Sequence, residues 1–130
     1  MESPPTIMVV DDDEDIRSLM SRLLRNKGFL VIEAATATEA EAEALKRIPE
    51  LILMDLSMPG TDGLSAIWRL RRQAETANIP VVIVSAHDAF DLRAEATAAG
   101  CLGYLTKPVD VVELMSVVRS ITEGNGVDDL

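Results

Sequence analysis

The sequence predicts an α/β fold, a doubly wound parallel sheet of five strands with helices on both faces. Three observations predict it. Short apolar runs alternate with helical patterns five times along 130 residues. The runs are continuously apolar, as strands buried on both faces are. No Gly/Ser-rich linker or internal repeat divides the chain, whose length suits one domain.

Each element has a local reason. "TIMVV" (6–10) reads as the first strand, and Ile16, Leu19, Met20, Leu23 and Leu24 then recur on one face of a helix. Lys27 and Gly28 end that helix, a cation in the last turn followed by a C′ glycine. "FLVIEA" (29–34) is the second strand, and Thr38 with Glu41 forms a capping box for an Ala/Glu-rich helix reaching about Arg47. "ELILMD" (50–55) is the third strand, and "MPGTDG" turns it into the helix "LSAIWRLRRQ". Pro80 opens "VVIVS" (81–85), "FDLRAEATAAG" is a helix stopped by Gly100, "CLGYL" (101–105) is the fifth strand, and Val109 to about Glu123 is the last helix. Residues 1–5 read as an extended or disordered N-terminus, 6–123 as the domain, and 124–130 as a frayed tail.

Right-handed crossovers make such strands parallel and stack the molecule in three layers. The expected strand order is 2-1-3-4-5, that of flavodoxin-like folds, in which ligands bind beyond the carboxyl ends of the strands.

Composition narrows the function. The chain is 48% hydrophobic and 26% charged but only 3% aromatic, so aliphatic residues and Met must make the core. A formal net charge of −10 argues against direct nucleic-acid binding and suits cations or basic partners. The single cysteine, Cys101, has no partner for an internal disulfide and reads as a small buried apolar residue. No signal peptide and no membrane span are expected, and the protein reads as cytoplasmic.

The chemistry gathers where the strands end. The first strand runs into Asp11, Asp12, Asp13, Glu14 and Asp15; the third delivers Asp55, the fourth Ser85 and the fifth Lys107. Three carboxylates sharing one pocket would repel and raise a pKa. A divalent hard cation removes the conflict, and Mg²⁺ prefers a few carboxylates, waters and a phosphate oxygen. Asp11 and Asp12 are therefore read as cation ligands and Lys107 as a point charge suited to phosphate. Asp13, Glu14 and Asp15 read as the solvated first turn of the next helix, where negative charge suits the dipole.

"VVDDDEDIR", "LILMDLSMPGTDGL", "PVVIVSA" and "GYLTKPVD" resemble the receiver domain of bacterial two-component response regulators, of the chemotaxis-receiver type. The resemblance covers about residues 6 to 123, with each signature in order. It implies that Asp55 accepts a phosphoryl group from a phosphohistidine on a sensor histidine kinase or phosphotransferase. It further implies that Asp12, Asp55 and the backbone carbonyl of Ser57 bind Mg²⁺ while Asp11 holds a metal-bound water. Lys107 would contact the acyl phosphate and Ser85 would hydrogen-bond one of its oxygens. The Lys107–Pro108 bond is expected to be cis, and Ser85 with Tyr104 is expected to form the switch.

Other residues are less determined. His87 reads either as a residue that tunes water access to the phosphoryl group or as an exposed loop histidine. Met54 and Met58 read as packing, and Trp68 as a partly exposed residue open to a partner. The last helix has an apolar arc wider than one core stripe needs, with Val112 and Met115 in excess. Those two are assigned to a homodimer or effector surface of helix 4, strand 5 and helix 5. The expected protein is a signalling module whose only chemistry is self-phosphorylation and self-dephosphorylation, working alone, in a relay or as part of a larger regulator. An aspartate-based phosphatase, an FMN-binding flavodoxin and a receiver that has lost phosphorylation are the competing readings.

Overall fold

A computed structural model of the chain describes residues 3–56, 63–86 and 90–123. In chain order it forms β1 (Thr6–Val10), α1 (Glu14–Asn26), β2 (Leu30–Ala34), α2 (Ala37–Arg47), β3 (Leu51–Met54), α3 (Gly63–Arg71), β4 (Val81–Ser85), α4 (Phe90–Ala98), β5 (Gly103–Thr106) and α5 (Val111–Thr122). The strands make one sheet in the order β2-β1-β3-β4-β5, and every pairing is parallel. This is the doubly wound, flavodoxin-like topology predicted from the alternation of runs.

Two cores flank the sheet, and the two-residue period of a strand assigns side chains to them. Met8, Val10, Ile52, Met54, Val81 and Ile83 pack with the small residues of α2, α3 and α4. Ile7, Val9, Leu51, Leu53, Val82, Val84 and Leu105 pack with Met20 and Leu24 of α1 and Leu114, Met115 and Val118 of α5. The three central strands β1, β3 and β4 are buried almost throughout, whereas the edge strands β2 and β5 keep partly open positions. Gly28 and Gly100 follow α1 and α4 with φ of 98° and 83°, the left-handed backbone that glycine adopts without a Cβ clash.

Several boundaries differ from the sequence reading. The cap of α2 is Thr36, whose hydroxyl accepts the Glu39 N–H at 3.0 Å, while the Glu39 carboxylate accepts from the Ala35 N–H; Thr38 lies inside the helix. Glu41 instead takes a two-pronged contact from Arg69 of α3. The fifth strand starts two residues late, because the Cys101 N–H still closes α4 onto Ala96, and pairing begins at Val82 with Gly103. Helix α5 begins after Asp110, which caps the Val112 and Glu113 amides.

Burial corrects three further expectations. Leu19, placed on the core stripe of α1, is 54% exposed. Cys101 is only half-buried; burial pushes its thiol up to about 11. Met115 is buried in the α1/α5 core, and Val112 is exposed, lining a shallow depression with Lys27 at the end of α1. Met115 is therefore withdrawn from the expected contact surface, and Val112 is open to solvent as that surface requires. Trp68 is exposed, as expected. Among the described residues, no helix is long and apolar enough to cross a membrane.

Candidate functional site

The strand ladder runs one residue past three strand ends. The Asp11 N–H donates to Ala34, the Asp55 N–H to Val10 and the Lys107 N–H to Ser85, each to a carbonyl of the adjacent strand. The alternation that aims Val9, Leu53 and Leu105 at the α1/α5 layer therefore carries on to Asp11, Asp55 and Lys107. The convergence is a consequence of register.

The Lys107 Nζ donates to Asp11 Oδ2 at 2.7 Å and to Asp55 Oδ2 at 3.2 Å. Both carboxylates are nearly inaccessible, at 2% and 3% exposure, whereas Asp12 is open. Carboxylate oxygens of Asp11, Asp12 and Asp55 all lie within 4.8 Å of one another. The two ligands on which the sequence reading depended, Asp12 and Asp55, are thus close enough to share an ion. One ammonium against three carboxylates leaves the pocket short of positive charge.

The electrostatics follow from that shortage. The Asp11 carboxyl is held above its ordinary 3.8, first by burial and further by the Asp55 charge, against the pull of Lys107 and the Asp13 N–H. Burial acts to lower the Lys107 ammonium, but the hydrogen bond to Asp11 and the charges of Asp55 and Asp11 outweigh it and leave it above 10.5. A hard divalent cation fits this donor set of clustered carboxylate oxygens, two buried and one open to solvent.

The acidic run divides between the pocket and the start of α1. Asp11 Oδ1 accepts from the Asp13 N–H, and Asp13 caps α1 through the Asp15 and Ile16 amides. Glu14 and Asp15 occupy the first turn of α1. Ser85 is fully buried at the end of β4. Tyr104 lies two positions before Thr106 on β5, half-buried, with the Arg93 guanidinium 4.6 Å from its ring centre. Ser85 pairs with Thr106 and Ile83 with Tyr104, so Ser85 and Tyr104 share one face of the sheet. The Lys107–Pro108 bond is cis. Ser57, Met58 and His87 lie outside the described residues.

Two positioning residues escaped the sequence reading. Arg17 donates to the Asp11 carbonyl at 2.8 Å and to Glu33 Oε1 at 3.1 Å, tying the acidic loop to β2. Gly63 opens α3 so close to the site that a Cβ there would sit 3.1 Å from the Asp55 carbonyl oxygen. A glycine at a predicted helix start is a signal for such an approach; Arg17 carries none, because its partners come from other elements.

Comparison with known proteins agrees with this geometry. The family model for the response regulator receiver domain matches residues 7–119. The DNA-binding dual master transcriptional regulator RpaA of Synechocystis sp. is 37% identical over 117 residues, covering 90% of this chain and 48% of RpaA. The chain spans about half the length of the curated transcriptional regulators it matches. The chemotaxis protein CheY4 of Vibrio cholerae superposes with a TM-score of 0.86 at 27% identity, covering 91% of this chain and 98% of that one. The receiver domain of the sensor histidine kinase PA1611 of Pseudomonas aeruginosa, solved with a magnesium ion coordinated in the active site cleft, superposes at 0.83 with 27% identity, covering 91% and 97%.

Proposed function

This chain belongs to the response regulator receiver family of two-component signalling, and on that premise we propose that Asp55 accepts a phosphoryl group from a phosphohistidine of a sensor kinase or phosphotransferase. An Asp55 carboxylate oxygen forms the new P–O bond as the donor's P–N bond breaks, and the imidazole nitrogen keeps the electron pair. The observation that carries the reading is Lys107 reaching both Asp11 and Asp55 from across the sheet. Its ammonium is placed to follow charge onto the transferred group, and Ser85 supplies a hydroxyl for one phosphoryl oxygen. The reaction is one of positioning and charge neutralisation.

Asp12, Asp55 and the Ser57 carbonyl would hold Mg²⁺, with Asp11 fixing a bound water. When bound, the ion offsets the negative charge that gathers between the carboxylates and the phosphoryl oxygens. Arg17 keeps the acidic loop against β2, and Asp13 fixes the start of α1. Ser85 and Tyr104, on one face of the sheet, serve as the switch that reports the modification. Hydrolysis returns the domain to its resting state, and no separate substrate is turned over. The reading places the protein in the cytoplasm with its phosphodonor.

The test is direct. With Mg²⁺ and acetyl phosphate, intact-mass measurement is expected to show one added phosphoryl group per chain, absent in Asp55→Asn. Labelling of Asp55→Asn to the same extent overturns the assignment, and continuous turnover of a phosphomonoester without self-labelling favours the phosphatase reading.

A further inference from the structure

A groove of about 430 Å³ opens at the end of the sheet opposite to the acid pocket, where β3 and β4 begin and α5 ends. Ile48 and Glu50 line it ahead of β3, Glu75, Asn78 and Ile79 ahead of β4, and Ile121 near the end of α5. Ile48 is its unusual member. It holds φ 46° and ψ 73°, the left-handed region that a β-branched residue enters only at a cost, and no other non-glycine residue among those described has a positive φ. The turns after α1 and α4 use the same region and place Gly28 and Gly100 there. After α2 an isoleucine stands instead, and it stays 43% exposed, so little burial offsets its strain. Strain kept in this way collects at binding sites.

The loop ahead of β4 is braced. Arg71 donates to the carbonyls of Ala77 at 3.2 Å and Ile79 at 2.8 Å, and the buried Thr76 hydroxyl donates to the Leu70 carbonyl at 2.6 Å. Glu75 and Asn78 are thus displayed from a fixed backbone, which lowers the ordering cost of binding. Glu50 and Glu75 are exposed; among the described residues neither has an ion-pair partner, and no cation lines the groove.

Charge decides the occupant. Residues 124–130 follow α5 but carry Asp128 and Asp129, and a second copy of the chain brings a net charge of −10, so both repel the two glutamates. We propose that the groove docks a basic segment of a partner protein, which sets an aliphatic side chain against Ile48 and Ile79 and lysine or arginine against Glu50 and Glu75. The length of the strands separates the groove from Asp11 and Asp55, so the segment and a cation in the acid pocket do not compete.

The test is an amide NMR titration of the ¹⁵N-labelled chain, in Mg²⁺ and at physiological ionic strength, with the peptide acetyl-Lys-Ala-Leu-Ala-Lys-amide as the probe. Saturable shifts are expected at Ile48, Glu50, Glu75, Asn78 and Ile121 but not at Asp11 or Asp12, with a dissociation constant of about 1 mM or below. Serine in place of the probe's leucine should weaken binding about tenfold. Glu50→Gln with Glu75→Gln should weaken it about fivefold, whereas Glu95→Gln with Glu113→Gln, the same change in net charge elsewhere, should alter it by less than about twofold. Ile48→Asn, a residue at ease in the left-handed region, should weaken binding while its urea midpoint is no lower than the parent's. A lower midpoint or unchanged binding in that variant assigns Ile48 to packing and overturns the proposal. So do shifts confined to Asp11 and Asp12, a serine probe that binds as well as the leucine one, or no saturation up to about 5 mM peptide. None of these readouts depends on the assignment of Asp55.

Discussion

Asp11 is a buried acid set among two other carboxylates and one ammonium. Its raised pKa means that the folded state binds its proton more tightly than the unfolded chain does. Below the ordinary 3.8 the group is protonated in both states and costs nothing; as pH rises through that value and above, its ionisation draws stability away. Asp11→Asn removes this cost. In urea unfolding at pH 7 without divalent metal, the variant is expected to be more stable than the parent by about 1 kcal/mol, the common size of such trade-offs at functional sites. The gap should close in acid, and Mg²⁺ should bind the variant more weakly by isothermal titration. A less stable Asp11→Asn at neutral pH would show that the Lys107 hydrogen bond outweighs burial. Individual acids were legible in the sequence because the fold sends strand ends to one place; Arg17 was not, since only the folded register brings it to the Asp11 carbonyl.

Element boundaries are decided by single hydrogen bonds, and there the sequence reads less well. Both Thr36 with Glu39 and Thr38 with Glu41 satisfy the capping-box spacing; the structure uses the first pair because Ala37, Ala40 and Ala44 then face the core. Thr36→Ala is expected to cost about 1 kcal/mol in chemical denaturation, and Thr38→Ala only a few tenths. Equal costs would mean that the helix start is frayed. The fifth strand carried the same ambiguity: "CLGYL" is apolar enough to be strand from its first residue, but Cys101 is drawn back onto the end of α4. For α5, periodicity exposed an excess of apolar residues but could not say which neighbour they face. Met115 turned inward, whereas Val112 stayed open to solvent.

At the scale of the whole molecule, topology was legible in full because strands buried on both faces leave no period-two pattern and must alternate with helices. Charge is the counterpart: a net −10 includes three carboxylates forced together at the sheet's carboxyl end, so the resting domain carries repulsion that its fold must absorb. A ligand that binds only the folded state stabilises it by mass action, by about 2.7 kcal/mol when its concentration is a hundred times its dissociation constant. Thermal melts in saturating Mg²⁺ are therefore expected to show a rise of several degrees over a sodium chloride control of equal ionic strength. The control removes general screening, which acts on all the surface acids alike. The increment should vanish in Asp12→Ala, whose exposed side chain contributes little to packing. An unchanged rise in Asp12→Ala would place the stabilising ion elsewhere on the acidic surface, because only an ion seated between Asp12 and Asp55 depends on that one open carboxylate.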